Sequence, residues 1–184
     1  MKSAFVITLI LFLSSTVFGQ VKYEKETRIK PEEVPEVSRN FMDRIGFTKK
    51  IKWYLEERFD DISYEAKTRH NKRLHSIEFS ENGALEDVEV LIKWRNLPVD
   101  LQNKISNHLS EKHQKFSVDK IQIQYLGNED DIISFLKDGQ GKEALQINYE
   151  LIVKTKTGKN LQVYEYLFSA TGDFIQRSEV VFRN

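Results

Sequence analysis

Four histidines are the side chains best able to hold a metal or move a proton, so their spacing is the first question. His108 and His113 fall in a segment with helical periodicity, where a separation of five turns them about 140° apart at 3.6 residues per turn. They cannot share a metal within one helix. His70 and His75 would be diagonal neighbours on one hairpin face, roughly 7–8 Å apart at the backbone, and no adjacent third ligand completes a zinc set. Among the carboxylates, Glu65 and Glu78 can oppose each other across that hairpin, as an acid and a base would in glycoside hydrolysis. Like charges on a polar sheet face, relieved by Lys67, are the simpler account. Gly-x-Ser-x-Gly and His-Glu-x-x-His are both absent from the sequence. The expectation is a chain with no catalytic residues, no metal and no cofactor.

The residues that remain could make contacts rather than break bonds. Trp53 alternates with Ile51 and Leu55 and reads as core. Trp94 lies between Lys93 and Arg95, a setting that suits a partly exposed contact residue. A turn at Asn71-Lys72 puts Tyr64 opposite Phe79 and Ala66 opposite Ile77 on a core face. Alternation then assigns Glu65, Lys67 and Arg69, with Glu78, Ser76 and Leu74 opposite them, to a polar and mostly wet reverse face. In a later hairpin, turning at Gly158-Lys159, Tyr149 meets Phe168, Leu151 meets Tyr166 and Val153 meets Tyr164. Its reverse face holds Glu150, Ile152, Lys154, Val163, Glu165 and Leu167. Half of those six are apolar, which a solvated face does not require.

These positions depend on elements that can be read from periodicity. Val34, Val37, Phe41 and Ile45 mark one amphipathic helix, with Glu32, Glu33 and Glu36 at its start and Gly46 as its stop. Leu97, Leu101, Ile105 and Leu109 mark a second, with Asn96 as a cap and Pro98 near the first turn. Strands are expected over 51–57, 62–69, 73–79 and 85–94 after the first helix, and over 118–125, 145–155, 161–168 and 174–182 after the second. The order is helix and four strands, twice. Local sequence agrees: Tyr64-Glu65 answers Tyr149-Glu150, Phe79-Ser80-Glu81-Asn82-Gly83 answers Phe168-Ser169-Ala170-Thr171-Gly172, and Val34-Pro35 answers Leu97-Pro98. The extra length of the second half falls in residues 126–144, which carry Glu129-Asp130-Asp131 and read as a loop or small excursion.

The first nineteen residues have the layout of a cleavable secretory signal: Lys2, an apolar stretch from Ala4 to Leu13, and Val17-Phe18-Gly19 before a cut at Gln20. That stretch is roughly half of what a membrane span needs, so no stable membrane anchor is expected after cleavage. There is no cysteine, so neither disulfides nor a lipidated cysteine can hold the chain in place. The leader takes one basic residue and no acidic one, leaving the mature chain with a single net negative charge. Its Lys and Arg are interleaved with Asp and Glu, which argues against nucleic acid as a partner. The expected layout is a signal peptide at 1–19, an extension at 20–30, and two α-β4 repeats at 31–95 and 96–184.

The Tyr-Glu strand heads, the Phe-Ser-x-x-Gly turns, the helix opened by Leu-Pro and the duplicated α-β-β-β-β order together resemble the PepSY-like domains with the beta-lactamase-inhibitor-protein fold. The likeness runs over roughly 31–182. It implies an α+β fold: tandem α-β-β-β-β units forming one curved antiparallel sheet of about eight strands, with two helices packed on one face and the other face open. In inhibitor relatives the open face grips a protein, and the resemblance therefore implies a periplasmic or secreted, non-enzymatic binding module, with inhibition of its partner as an extension. Lactamase inhibition itself fits poorly, because the chain has no cysteines and its open face is not rich in aromatics. The contact set expected on that face is Glu65, Lys67, Trp94, Glu150, Ile152, Lys154, Val163, Glu165 and Leu167. A second reading is a carrier that encloses a small apolar ligand against Tyr149, Tyr164, Tyr166 and Phe168.

Overall fold

The computed structural model describes residues 20–23, 25–47, 49–59, 61–157 and 160–181. The signal segment, the Gly158-Lys159 turn and Phe182 lie outside them. In chain order come strands β1 (Gln20–Tyr23) and β2 (Lys25–Ile29), helix α1 (Glu36–Ile45), β3 (Lys52–Glu57), β4 (Ile62–His70), β5 (Arg73–Ser80) and β6 (Leu85–Ile92). Helix α2 (Val99–Lys112), β7 (Phe116–Leu126), helix α3 (Glu129–Asp138), β8 (Gln146–Thr157), β9 (Asn160–Ser169) and β10 (Phe174–Val181) follow. All the strands form one sheet in the order β1-β10-β9-β8-β7-β6-β5-β4-β3-β2. Every neighbouring pair is antiparallel except β1 with β10 at one edge. The α+β architecture is the one expected, with two additional edge strands and a third helix among the described residues.

Register follows the turns. Asn71 and Lys72 both take positive φ, 48° and 65°, the geometry that matches the twist of a two-residue hairpin. Tyr64 pairs with Phe79, Ala66 with Ile77 and Glu65 with Glu78. In β8–β9, Tyr149 pairs with Phe168, Leu151 with Tyr166 and Val153 with Tyr164. Both sets match the alternation read from the sequence.

All three helices cover the face that carries these aromatic pairs. Phe41, Met42 and Ile45 of α1 and Ile132 and Leu136 of α3 join Trp53, Ala66, Ile77, Phe79, Val88 and Tyr125 in one apolar cluster. Ile105 and Leu109 of α2 join Ile121, Leu151, Val153, Tyr166 and Phe168 in another. The excursion at 126–144 thus contains a helix, and its acidic run forms the first turn of that helix. Asn128 caps it by accepting the Asp131 N–H at 3.0 Å, and the carboxylates sit at the positive helix end. Arg44 near the end of α1 pairs with Glu129 at 2.8 Å and Asp130 at 2.6 Å. That arrangement makes the run a clamp between α1 and α3.

The local resemblance between the two halves extends to their geometry. A 3-10 turn, Pro31–Glu33 or Trp94–Asn96, precedes each of α1 and α2; a buried apolar residue follows, Val34 or Leu97, and then an extended proline at the helix cap. Glu32 and Glu33 therefore belong to the first 3-10 turn rather than to α1. Asn96 likewise caps the 3-10 turn and not α2, accepting the Lys93 N–H at 3.2 Å, as Glu33 accepts that of Lys30 at 2.8 Å. Gly83 and Gly172 close the two Phe-Ser-x-x-Gly turns at φ 85° and 78°, each tucked against the helix of its own half. A Cβ on Gly83 would meet Pro35 at 2.7 Å and one on Gly172 would meet Leu101 at 3.0 Å.

Phe168 is fully buried, 0% exposed. Phe168→Ala should lower unfolding stability by roughly 3–5 kcal/mol, read by urea denaturation; a loss under about 1 kcal/mol would place that ring outside the core.

Candidate functional site

The opposite face of the sheet carries no helix among the described residues, and alternation fills it with polar side chains. Tyr54 and Glu56 of β3, Glu65 and Lys67 of β4, Ser76 and Glu78 of β5, and Asp87 and Glu89 of β6 all point there by register. So do Gln122 and Gln124 of β7, Asn148 through Lys154 of β8 at alternate positions, and Val163, Glu165 and Leu167 of β9. The expectation of a mostly wet face is wrong at its centre. Glu65 is 4% exposed and Glu89 5%, and Ser76, Gln122 and Asn148 are equally sheltered. The physical reason is that long side chains on adjacent strands lie down on one another and exclude water from the polar atoms they pair.

Hydrogen bonds and ion pairs account for this burial. The Ser76 hydroxyl donates to Glu65, and Lys67 reaches Glu65 at 2.7 Å and Glu26 at 2.5 Å while lying 4.8 Å over the Tyr54 ring. Burial works against the Lys67 charge, but Glu65 and Glu26 outweigh it and hold its pKa above the usual lysine value. Arg58 spans Glu78 at 3.0 Å and Glu86 at 3.6 Å, so each member of the Glu65/Glu78 pair has its own cation. Farther along, Gln122 donates to Glu89 at 2.5 Å, Gln124 to Asp87 at 2.8 Å and Asn148 to Gln124 at 2.9 Å.

Carboxylate oxygens of Glu26, Glu56 and Glu65 lie within 4.8 Å of one another, a grouping a hard cation could bridge. The Lys67 ammonium already sits against two of them, so the fold supplies the positive charge itself. Glu89 differs. Burial, and then the charges of Glu150, Glu78 and Asp87, push its pKa well above the ordinary glutamate value.

The histidines lie on the helix side. His70 and His75 are neighbours, with ring centroids 5.8 Å apart, but Phe47 stacks on His70 at 4.1 Å. Burial lowers the His75 pKa to about 4. His113 meets the Tyr166 hydroxyl at 2.6 Å, and His108 stacks on Phe174 at 4.6 Å. His70 and His75 thus pack on Phe47, and His108 and His113 on the aromatic row Tyr164, Tyr166, Phe168 and Phe174.

The expected contact residues therefore divide. Glu65 and Lys67 are buried or half-buried within the charge network and shape the face from below. Glu150, Ile152, Lys154, Val163, Glu165 and Leu167 lie together on β8 and β9, paired as Glu150 with Leu167, Ile152 with Glu165 and Lys154 with Val163. Lys154 also pairs with Asp119 at 3.0 Å. Trp94 stands apart from them, half-buried in its 3-10 turn against the second apolar cluster. Sequence reasoning missed Leu161, which is 67% exposed and extends the apolar strip along β9; its parity with Val163 and Leu167 was the available signal.

No family model matches the sequence, and no curated protein is similar to it. Solved structures do share its fold. A BLIP-like protein from Bacteroides fragilis superposes with a TM-score of 0.50 at 16% identity, over 82% of this chain and 89% of that one. A DUF2874 family protein from Bacteroides ovatus gives 0.53 at 11% identity, over 79% and 87%. A Bacteroides eggerthii protein of provisional periplasmic assignment gives 0.51 at 11% identity, over 79% and 88%. At these identities the likeness is one of fold: the chain has the α+β architecture of BLIP-like proteins.

The raised pKa of Glu89 makes a signed prediction. Between the usual value of 4.5 and the higher folded-state value, the native chain holds a proton that the unfolded chain has released. Stability should therefore fall as pH rises through that window. Glu89→Gln, which cannot ionise, should remove this slope and leave the variant at least as stable as wild type at pH 8. Denaturation midpoints measured from pH 5 to 8 test this, and an unchanged slope would contradict it.

Proposed function

We propose that the mature chain is an exported, non-enzymatic binding module that holds a protein partner on the helix-free face of its sheet. The observation that carries this reading is the apolar strip on β8 and β9. Leu161, Val163, Ile152 and Leu167 face away from the helices and alternate with Glu165, Glu150 and Lys154 along and across the two strands, a patch on which apolar contacts and charges that orient a partner are interleaved. The ordered network on β3 to β7 adds a surface of fixed shape and charge, and pre-ordering lowers the entropy lost on association. The leader at 1–19 supports export to the periplasm or beyond, and the PepSY-like resemblance supports the same setting. The shared fold with a BLIP-like protein supports a role for the sheet face; an inhibitory effect would follow where the partner is an enzyme.

The carrier reading has less support. Its aromatic wall is filled core, with Tyr166 1% and Phe168 0% exposed and both packed against α2.

Leu167→Asp and Val163→Asp should abolish capture of a stoichiometric partner from cell-envelope extract while changing stability by about 0.5 kcal/mol or less. Asn103→Asp, on the exposed side of α2, should capture as wild type does. Equal recovery by all four proteins, or by none, would contradict the proposal.

A further inference from the structure

At one end of the sheet the β4–β5 hairpin, the end of β6 and the start of β7 enclose a groove of about 650 Å³, lined by residues of both faces. Five cations line it: Arg69, Lys72, Arg73, Lys93 and Lys120. Its one carboxylate is Asp119, which Lys154 holds at 3.0 Å. None of the five forms a salt bridge among the described residues, although the chain as a whole balances 28 basic against 28 acidic residues. The compensating acids lie elsewhere: Glu78 and Glu86 stand with Arg58 toward the opposite end of the same strands. Leu74, Leu91, Ile92 and the half-buried Trp94 supply apolar surface to the same lining.

Cations clustered beside apolar side chains, with Asp119 as the lining's one carboxylate and Lys154 already against it, suit a ligand that brings an anionic head and an apolar body. We propose that this groove binds an anionic amphiphile, a phosphate or carboxylate head joined to an apolar body, at a site that adjoins the β8–β9 patch through Lys120 and Asp119. The head sits among Arg69, Arg73, Lys93 and Lys120, where a guanidinium can grip two oxygens at once. The body lies along Leu74, Leu91 and Trp94. The same chemistry could come from a free metabolite or from a lipid headgroup, and the test separates these sources.

Trp94 lines the groove and Trp53 is buried in the other cluster, so tryptophan emission reports on the site. Titration of the mature chain with dihexanoyl phosphatidate, below its micelle concentration and at low salt, should shift that emission saturably, and added salt should weaken binding. Dihexanoyl phosphatidylcholine should bind at least tenfold more weakly. The double variant Arg73→Glu/Lys93→Glu should lose at least tenfold in affinity, whereas Lys112→Glu/Lys142→Glu, an equal charge change at other exposed positions, should bind as wild type does. Equal binding of the two lipids, binding unaffected by Arg73→Glu/Lys93→Glu, or no binding at millimolar phosphatidate would each overturn the proposal. Co-sedimentation with phosphatidate-containing vesicles would assign the head to a membrane; saturable binding of the soluble lipid without co-sedimentation would assign it to a free ligand.

Discussion

Phe79 and Phe168 are each faced across a hairpin by a tyrosine, Tyr64 and Tyr149, and these pairs commit one side of the sheet to the helices. Because side chains alternate strictly along a strand, that commitment also decides what every neighbouring residue must do. Leu167 faces away because Phe168 faces in, and Glu65 faces away because Tyr64 and Ala66 face in. The two Phe-Ser-x-x-Gly turns secure the arrangement, since each brings its strand end against the helix of its own half at a positive-φ glycine where a Cβ would crowd that helix. A slip of one residue would bury Glu65 and Glu150 under the helices and expose the aromatic row. The burial of both clusters makes that slip prohibitively costly.

The reverse face carries the energetic tension. Carboxylates with little solvent contact, such as Glu65 and Glu89, cost free energy unless they are paired or protonated. The fold uses both remedies, an ion pair with Lys67 for Glu65 and a raised pKa for Glu89. Such networks add little net stability, but they hold side chains in one arrangement, and a binding face benefits from that order. Charge is then distributed unevenly along the strands: acids with Arg58 toward one end, and cations without ion pairs around the groove at the other.

Much of this was legible in the residues. Hairpin register came from turn chemistry at Asn71-Lys72 and from alternation. Short sequence matches between the halves fall at similar turns, and even the weak pairing of Val34-Pro35 with Leu97-Pro98 marks similar helix entries. What could not be read depended on contacts between distant segments. Helix α3 opens on Glu129-Asp130-Asp131, which has loop composition until Arg44 of α1 is placed beside it. The dryness of the polar face was also hidden, because alternation tells which side a residue takes and not how far its neighbours lie down over it. The groove was invisible for a related reason: Lys93 and Lys120 are distant in the chain from the basic hairpin Arg69–Arg73, and the sheet brings them to the same end.

The central claim is the division of β9 between two faces, and the absence of cysteine makes it directly measurable. Leu167→Cys and Phe168→Cys, each as a single-cysteine variant, can be labelled in the native state with a water-soluble maleimide. Leu167→Cys should react readily, and Phe168→Cys should react about a hundredfold more slowly, through local opening of the core. Comparable rates, or the reverse order, would contradict the account.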